Sequence, residues 1–305
     1  MNFSSLLYRI KSPIFAGIRR VFLALTFLLT PIQLSKFLVW KLSNSKSDSS
    51  TNFISPATFN REMISEQKRK MKVAIILHVF YPDIGIEILQ QVLTQSKYFD
   101  KILITHCMQP DELVTFRSEI PSELSKKCDF MFVKNRYRDS GPFMQAAGST
   151  YLSDCGVFLK LHTKRSPHLP NELGSVWRRN LIVDLLNPQI IKLIVSSLLD
   201  KKEPTWSCPD NWLGSKSQWG FNSFQVWNLC EALGINYRGP QSFPVGNMYW
   251  LNRGMLIEFG KMSVHQKILP NLQLNFLLDG SSAHAHERLV SQYPIIYPRN
   301  RAIKK

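Results

Sequence analysis

At 305 residues the chain can form one large domain, or one domain with an appendage, and a core of that size needs no covalent staples. Its five cysteines are odd in number and scattered without a C-x-x-C pair, which excludes a disulfide framework and a zinc-thiolate site and leaves reduced, mostly buried thiols in a cytosolic setting. Residues 1–70 hold eleven Lys and Arg against three Asp and Glu, half of the net +16; that excess stands beside apolar residues with no nucleic-acid motif, so nucleic-acid binding is not expected.

Residues 1–42 place an apolar run, Val21 to Ser35, between Arg20 and Lys36, with Pro31 and Gln33 interrupting it. A spanning helix wants about 20 apolar residues. Flanked by Arg9, Lys11, Arg19, Lys36 and Lys41, the segment fits a basic amphipathic stretch lying in the interface of an anionic membrane. A tilted span and a core helix are the alternatives. Residues 43–70 begin rich in Ser and Asn without periodicity and are expected to form a flexible linker, with the folded domain over 71–305.

Lys72–Phe80 is a near-continuous apolar run of strand length, the pattern of a strand buried on both faces. Ile84, Ile88, Leu89, Val92 and Leu93 then recur at helical spacing. The alternation continues with strand Ile102–Thr105, helix Asp111–Ser118, strand Phe130–Val133, helix Phe143–Leu152 and strand Val157–Leu161. Helices over Val176–Leu186 and Gln189–Leu199 follow, then a strand near Trp206, a helix Phe224–Leu233, a strand Val245–Leu251 and a helix carrying His284–Arg288. Alternating β and α units imply right-handed crossovers and an α/β, Rossmann-like, mostly parallel sheet with helices on both faces.

Chemistry-bearing residues gather where strands end, and that rim is where open parallel sheets bind ligands. In Arg138-Asp139-Ser140-Gly141-Pro142-Phe143, Asp139 or Ser140 could cap the next helix, or Asp139 could accept bonds from a nucleotide while Arg138 binds phosphate. His162-Thr163-Lys164-Arg165 reads as a solvated basic loop or as a diphosphate site in which Lys164 and His162 stabilise a leaving group. Arg178 could add a phosphate contact, and Trp177 is core or a stacking platform. Gly246 breaks a strand, which often marks close approach of ligand or backbone, and Tyr249 with Trp250 could floor a sugar site or simply pack. On the last helix His284, Glu287 and Arg288 share a face with His286 turned away. Glu287 is either half of a structural pair or a general base for a hydroxyl.

Five ordered motifs resemble the rhamnan synthesis protein F family: Leu77-His78-Val79-Phe80-Tyr81-Pro82-Asp83, Arg138-Asp139-x-Gly141-Pro142-Phe143, Lys160-Leu161-His162-Thr163-Lys164, Phe243-Pro244-x-Gly246-x-Met248 and Ala283-His284-Ala285-x-Glu287-Arg288. The resemblance implies a GT-A-like glycosyltransferase that moves rhamnose or a related sugar from a nucleotide-sugar donor to a lipid-linked or growing cell-envelope polysaccharide. The site roles it implies are Arg138 and Asp139 for the nucleotide, His162 and Lys164 for the diphosphate, Gly246 and Met248 for the sugar or acceptor wall, and Glu287 as base; Trp250 and His284 are further candidates for sugar or acceptor by their own chemistry. GT-A folds place an acidic pair after the fourth strand to hold a metal, and His162-Thr163-Lys164 stands there instead. No metal or other cofactor is therefore expected. The family pattern has glycine where Tyr137 stands, and Tyr137 could narrow the pocket or stack on a base. Ser140 likewise replaces an apolar residue.

The implied setting is the cytoplasmic face of the bacterial inner membrane, peripheral or monotopic, with other polysaccharide assembly enzymes as possible partners. The alternative is a non-catalytic, membrane-associated module that binds glycan or scaffolds an assembly complex.

Overall fold

A computed structural model describes residues 53–54, 71–165, 171–209, 212–213, 219, 222–265 and 282–296. The expected membrane segment over 1–42 lies outside these, as does all of 43–70 except Phe53–Ile54, which forms a short strand (β1).

The strands β2 (Lys72–Val79), β3 (Lys101–His106), β4 (Cys128–Phe132) and β5 (Cys155–His162) follow one another with helices between. These are α1 (Pro82–Leu93), α2 (Pro110–Glu119), the single turn α3 (Ser122–Ser125) and α4 (Ser140–Ala146). Then come α5 (Asn171–Leu185) and α6 (Pro188–Leu199), the short strands β6 (Trp206–Ser207) and β7 (Trp212–Leu213), α7 (Asn222–Leu233) and β8 (Phe243–Pro244). The chain continues through β9 (Tyr249–Asn252), α8 (Arg253–His265), α9 (Ser282–Leu289) and β10 (Ile295–Ile296). Proline at the first position of α1, α2 and α6 starts each of them where a missing N–H costs nothing.

Among the described residues one eight-stranded sheet runs in the order β1-β10-β6-β9-β5-β2-β3-β4. It is parallel except for β9, which pairs antiparallel with both β5 and β6. Period-two alternation sorts the side chains into two layers. Val73, Ile75, Leu77 and Val79 of β2 pack with α1, α5 and α6, whereas Ala74 and Ile76 pack with α4, α7, α8 and α9. The mostly parallel α/β expectation therefore holds, with one reversed strand.

Two expected elements differ. The helix expected over Phe143–Leu152 ends at Ala146, and a 3₁₀ turn follows at Thr150–Leu152, because Gly148 between them is a poor helix former. The strand expected over Val245–Leu251 is interrupted: Val245–Asn247 is a turn with Gly246 at φ 80° and Asn247 at φ 56°, and the strand begins only at Tyr249.

Burial pushes the thiols of Cys128, Cys155 and Cys230 up to about 12, so they act as small core side chains. Among the described residues no single helix is long and apolar enough to cross a membrane.

Candidate active site

The chain runs outward through β2, β3 and β4, then returns to place β5 on the other side of β2. Loops leaving β2 and β5 therefore diverge, and such a switch point opens a crevice at the carboxyl ends of the strands. A cavity of about 500 Å³ lies there. It is walled by His78 near the end of β2 with Phe80 and Tyr81 beyond it, Arg138 and Asp139 after β4, His162 at the end of β5 with Thr163 to Arg165 beyond it, Gly246 and Asn247 before β9, and His284 and Glu287 of α9. Because β9 runs against its neighbours, its entry turn reaches the edge where the parallel strands exit, with Tyr249 in register with Lys160.

Beneath the cavity the motifs are tied together by charge. Lys160, 2 % exposed in the middle of a fully buried strand, donates to Asp139 Oδ2 at 2.8 Å and to the Asn247 carbonyl at 2.7 Å. Its ammonium also lies over the rings of Phe143 and Tyr249. Asn247 Nδ2 donates to the same Asp139 oxygen at 2.6 Å and to Ser140 Oγ at 3.2 Å. Burial alone would raise the Asp139 carboxyl, but the neighbouring His162 and Lys160 outweigh it and hold it well below the usual carboxylate range.

The backbone around this hub is strained. Tyr137 and Arg138 precede Asp139 in the left-handed region, at φ 59° and 54°. A Cβ on Gly141 would stand 2.1 Å from the Arg136 carbonyl, so no other residue fits that bend. Such outliers persist where the surroundings over-determine them, here through bonds to Asp139 and Asn247.

At one wall Arg138 donates to His284 Nε2 at 3.1 Å, joining the loop after β4 to α9. Burial pushes the Glu287 carboxyl above its ordinary value, partly offset by the Arg288 guanidinium 3.6 Å away. Lys164 lies 5.1 Å over the Trp177 ring. Thr163 Oγ1 accepts from the backbone N–H groups of Phe80 and Tyr81, and its own N–H donates to the His78 carbonyl, stitching the two diverging loops.

The structure brings together Arg138, Asp139, His162, Lys164, Gly246, His284 and Glu287, as the sequence predicts, and corrects several roles. Asp139 neither caps α4 nor offers a free carboxylate; its Oδ2 is occupied by Lys160 and Asn247. His162 is held neutral, because burial pushes its imidazole down to about 3, so it offers a dipole and no charge at neutral pH. Arg178 does not line the cavity: buried, it donates to the Lys164 carbonyl at 2.9 Å and pairs with Glu87 at 2.8 Å. Met248 and Trp250 are core, since alternation along β9 points both into the α5 and α6 layer, where Trp250 donates to the Leu185 carbonyl. Gly246 lines the cavity, yet its need for glycine comes from φ 80° and from Leu181, 3.0 Å from where a Cβ would sit. Arg288 does not line the cavity: its guanidinium lies 4.6 Å over Phe243, donates to the His284 carbonyl at 3.0 Å and stays 3.6 Å from Glu287, which is the structural Glu–Arg pair that the sequence offered. Tyr137 stands edge-on to His286 and leaves the pocket open.

Sequence reasoning missed Lys160 and Asn247 as a linked pair, and also His78. A lysine inside an otherwise apolar strand was the available signal for the first, since a charge that cannot leave the core must be paired there.

The donor set does not suit a divalent cation held by paired carboxylates. Asp139 Oδ2 already takes Lys160 and Asn247, Glu287 sits beside a guanidinium, and among the described residues no group of three or more His, Cys, Asp and Glu side chains is placed to hold a metal ion.

The amino-acid sequence matches a family model, rhamnan synthesis protein F, over residues 26–210. The chain belongs to that family. It is 26 % identical over 227 residues to the uncharacterized protein WxcX of two Xanthomonas campestris pv. campestris strains, and it spans 30 % of those proteins' length while 71 % of it is covered. Among solved structures it is similar to core-mannan synthase A of Aspergillus fumigatus in a Mn/GDP form, at 7 % identity and a TM-score of 0.34, covering 73 % of this chain and 72 % of that one.

Proposed function

We propose that this chain is a GT-A-like glycosyltransferase that moves rhamnose or a related sugar from a nucleotide-sugar donor to a lipid-linked or growing cell-envelope polysaccharide. One observation carries the reading: a cavity at the sheet's switch point gathers Arg138, Lys164 and Arg165 for an anion and sets Glu287 beside them. Membership of a polysaccharide-synthesis family supports it.

In the proposed reaction the acceptor oxygen forms a bond to the anomeric carbon as the bond to the diphosphate oxygen breaks. The acceptor proton passes to the Glu287 carboxylate, and the departing charge is taken up by Lys164, Arg138 and Arg165. His162 contributes a neutral imidazole at the same wall. No step uses a divalent metal. Turnover in excess chelator tests that point: complete loss restored by magnesium or manganese would reject it.

The deciding experiment screens nucleotide sugars for a thermal shift and then for released nucleoside diphosphate. Turnover that falls on the order of 10²- to 10⁴-fold in Glu287→Gln, with donor binding kept, is the expected result. Binding without turnover for every donor would favour the non-catalytic glycan-binding or scaffolding module, which the engagement of Asp139 by Lys160 also suits.

We place the chain at the cytoplasmic face of the inner membrane through its basic N-terminal segment. Deleting residues 1–42 should release it to the soluble fraction; retention on membranes would reject the anchor.

A further inference from the structure

One end of the cavity takes no part in that chemistry. Phe80 lines it and is 40 % exposed, although a ring of this size ordinarily gains stability by burial. The only other aromatic among the exposed large hydrophobics of the described residues is Phe132, which does not line the cavity.

The ring is held in place from behind. The Phe80 and Tyr81 backbone N–H groups both donate to Thr163 Oγ1, at 2.9 and 3.0 Å. Tyr81 stands perpendicular to Phe80 with centroids 4.8 Å apart. The Arg165 guanidinium lies 4.4 Å over the Tyr81 ring and is itself fixed by Asp83 at 2.7 Å. A braced, exposed aromatic ring thus adjoins the segment that carries Lys164 and Arg165. Tyr137, the aromatic that the sequence offered for stacking, is turned to His286.

We propose that Phe80 is the platform on which the nucleobase of the donor stacks, with its phosphates on Lys164 and Arg165. Stacking is tolerant of base identity, because every base has a π face. The proposal rests on the glycosyltransferase reading and adds to it the place of the base.

Calorimetric titration of the full chain with UDP, GDP and dTDP, with inorganic pyrophosphate and glucose 1-phosphate as base-free probes, tests it. At least one nucleoside diphosphate should bind more tightly than pyrophosphate. Phe80→Ala should weaken that nucleotide on the order of 5- to 150-fold while leaving pyrophosphate and glucose 1-phosphate unchanged, and Phe80→Trp should keep it. Equal nucleotide affinity in Phe80→Ala would overturn the platform alone. Loss of glucose 1-phosphate to the same degree would also overturn it, by assigning the ring to the sugar. A wild-type chain that binds no nucleoside diphosphate would overturn the platform and the donor reading together.

Discussion

Lys160 and Asp139 form a 2.8 Å ion pair at the floor of the cavity, so the acid of the Arg-Asp motif serves the core before it can serve a ligand. Burial lowers the Lys160 ammonium from its ordinary range, and Asp139 opposes that shift. Removing one partner of such a pair leaves an uncompensated buried charge, which costs about 3–5 kcal/mol. Asp139→Asn should therefore lower stability by that order in urea unfolding at pH 7, and Asp139→Asn combined with Lys160→Met should recover much of it. Equal stability of Asp139→Asn and the wild type would show that the pair carries no such burden.

Three imidazoles near the site are buried and held neutral: His78 pushed down to about 4, His162 to about 3 and His286 to about 4, each mainly by burial. Their folded values lie below the unfolded value of about 6.5, so the unfolded chain takes up protons first as the solution is acidified. The stability they contribute is complete above pH 6.5 and is lost as pH falls from there toward 4, at up to about 1.4 kcal/mol per pH unit for each histidine. The urea midpoint should drop between pH 7 and pH 5, and His286→Phe should flatten that slope. A midpoint independent of pH across this window would refute the assignment.

The buried Arg178 pairs with the half-buried Glu87, 2.8 Å away, which joins α5 to α1, and it also reaches the Lys164 carbonyl. An apolar pair of similar volume is often as stable as a buried ion pair. The double variant Arg178→Met with Glu87→Leu should unfold near the wild-type midpoint while binding pyrophosphate more weakly, because the backbone under Lys164 has lost its anchor. Arg178→Met alone should be less stable than the double variant. Wild-type anion affinity in the double variant would reduce the pair to a packing element.

Glycine substitutions separate close approach from simple propensity. A Cβ at Gly141 meets a backbone carbonyl at 2.1 Å, whereas at Gly148 the nearest atom is 3.6 Å away. Gly148→Ala should be neutral or stabilising by about 0.4–1 kcal/mol, through the unfolded chain. Gly141→Ala should lower the melting temperature sharply, since the carbonyl it meets is backbone and cannot swing aside. Similar melting temperatures for the two variants would contradict the close approach.

Tyr137 and Trp250 show why part of the site was legible and part was not. Tyr137 stands where the resemblance leads one to expect glycine, and its φ of 59° fits that expectation: the position lies in the left-handed region, which glycine enters freely. Where its ring would point was not readable, because His286, the group it meets, is 149 positions further along the chain. Trp250 could be a sugar floor or core until the phase of β9 was known. The turn at Gly246–Asn247 sets that phase, and it sends Trp250 to the layer away from the cavity.

Local pattern alone determined the β and α alternation, the mostly parallel sheet and the placing of motifs at strand ends and on the last helix, because apolar periodicity and helix starts depend on neighbours a few residues away. Only the tertiary structure decided what each polar group is paired with. The reversed strand β9 brings Asn247 to Asp139 and Lys160, and α5 brings Arg178 to Glu87 and Lys164, across separations of about ninety residues or more in several of these pairs. A carboxylate or guanidinium can serve a ligand or the fold, and the partner that packing places beside it makes that choice.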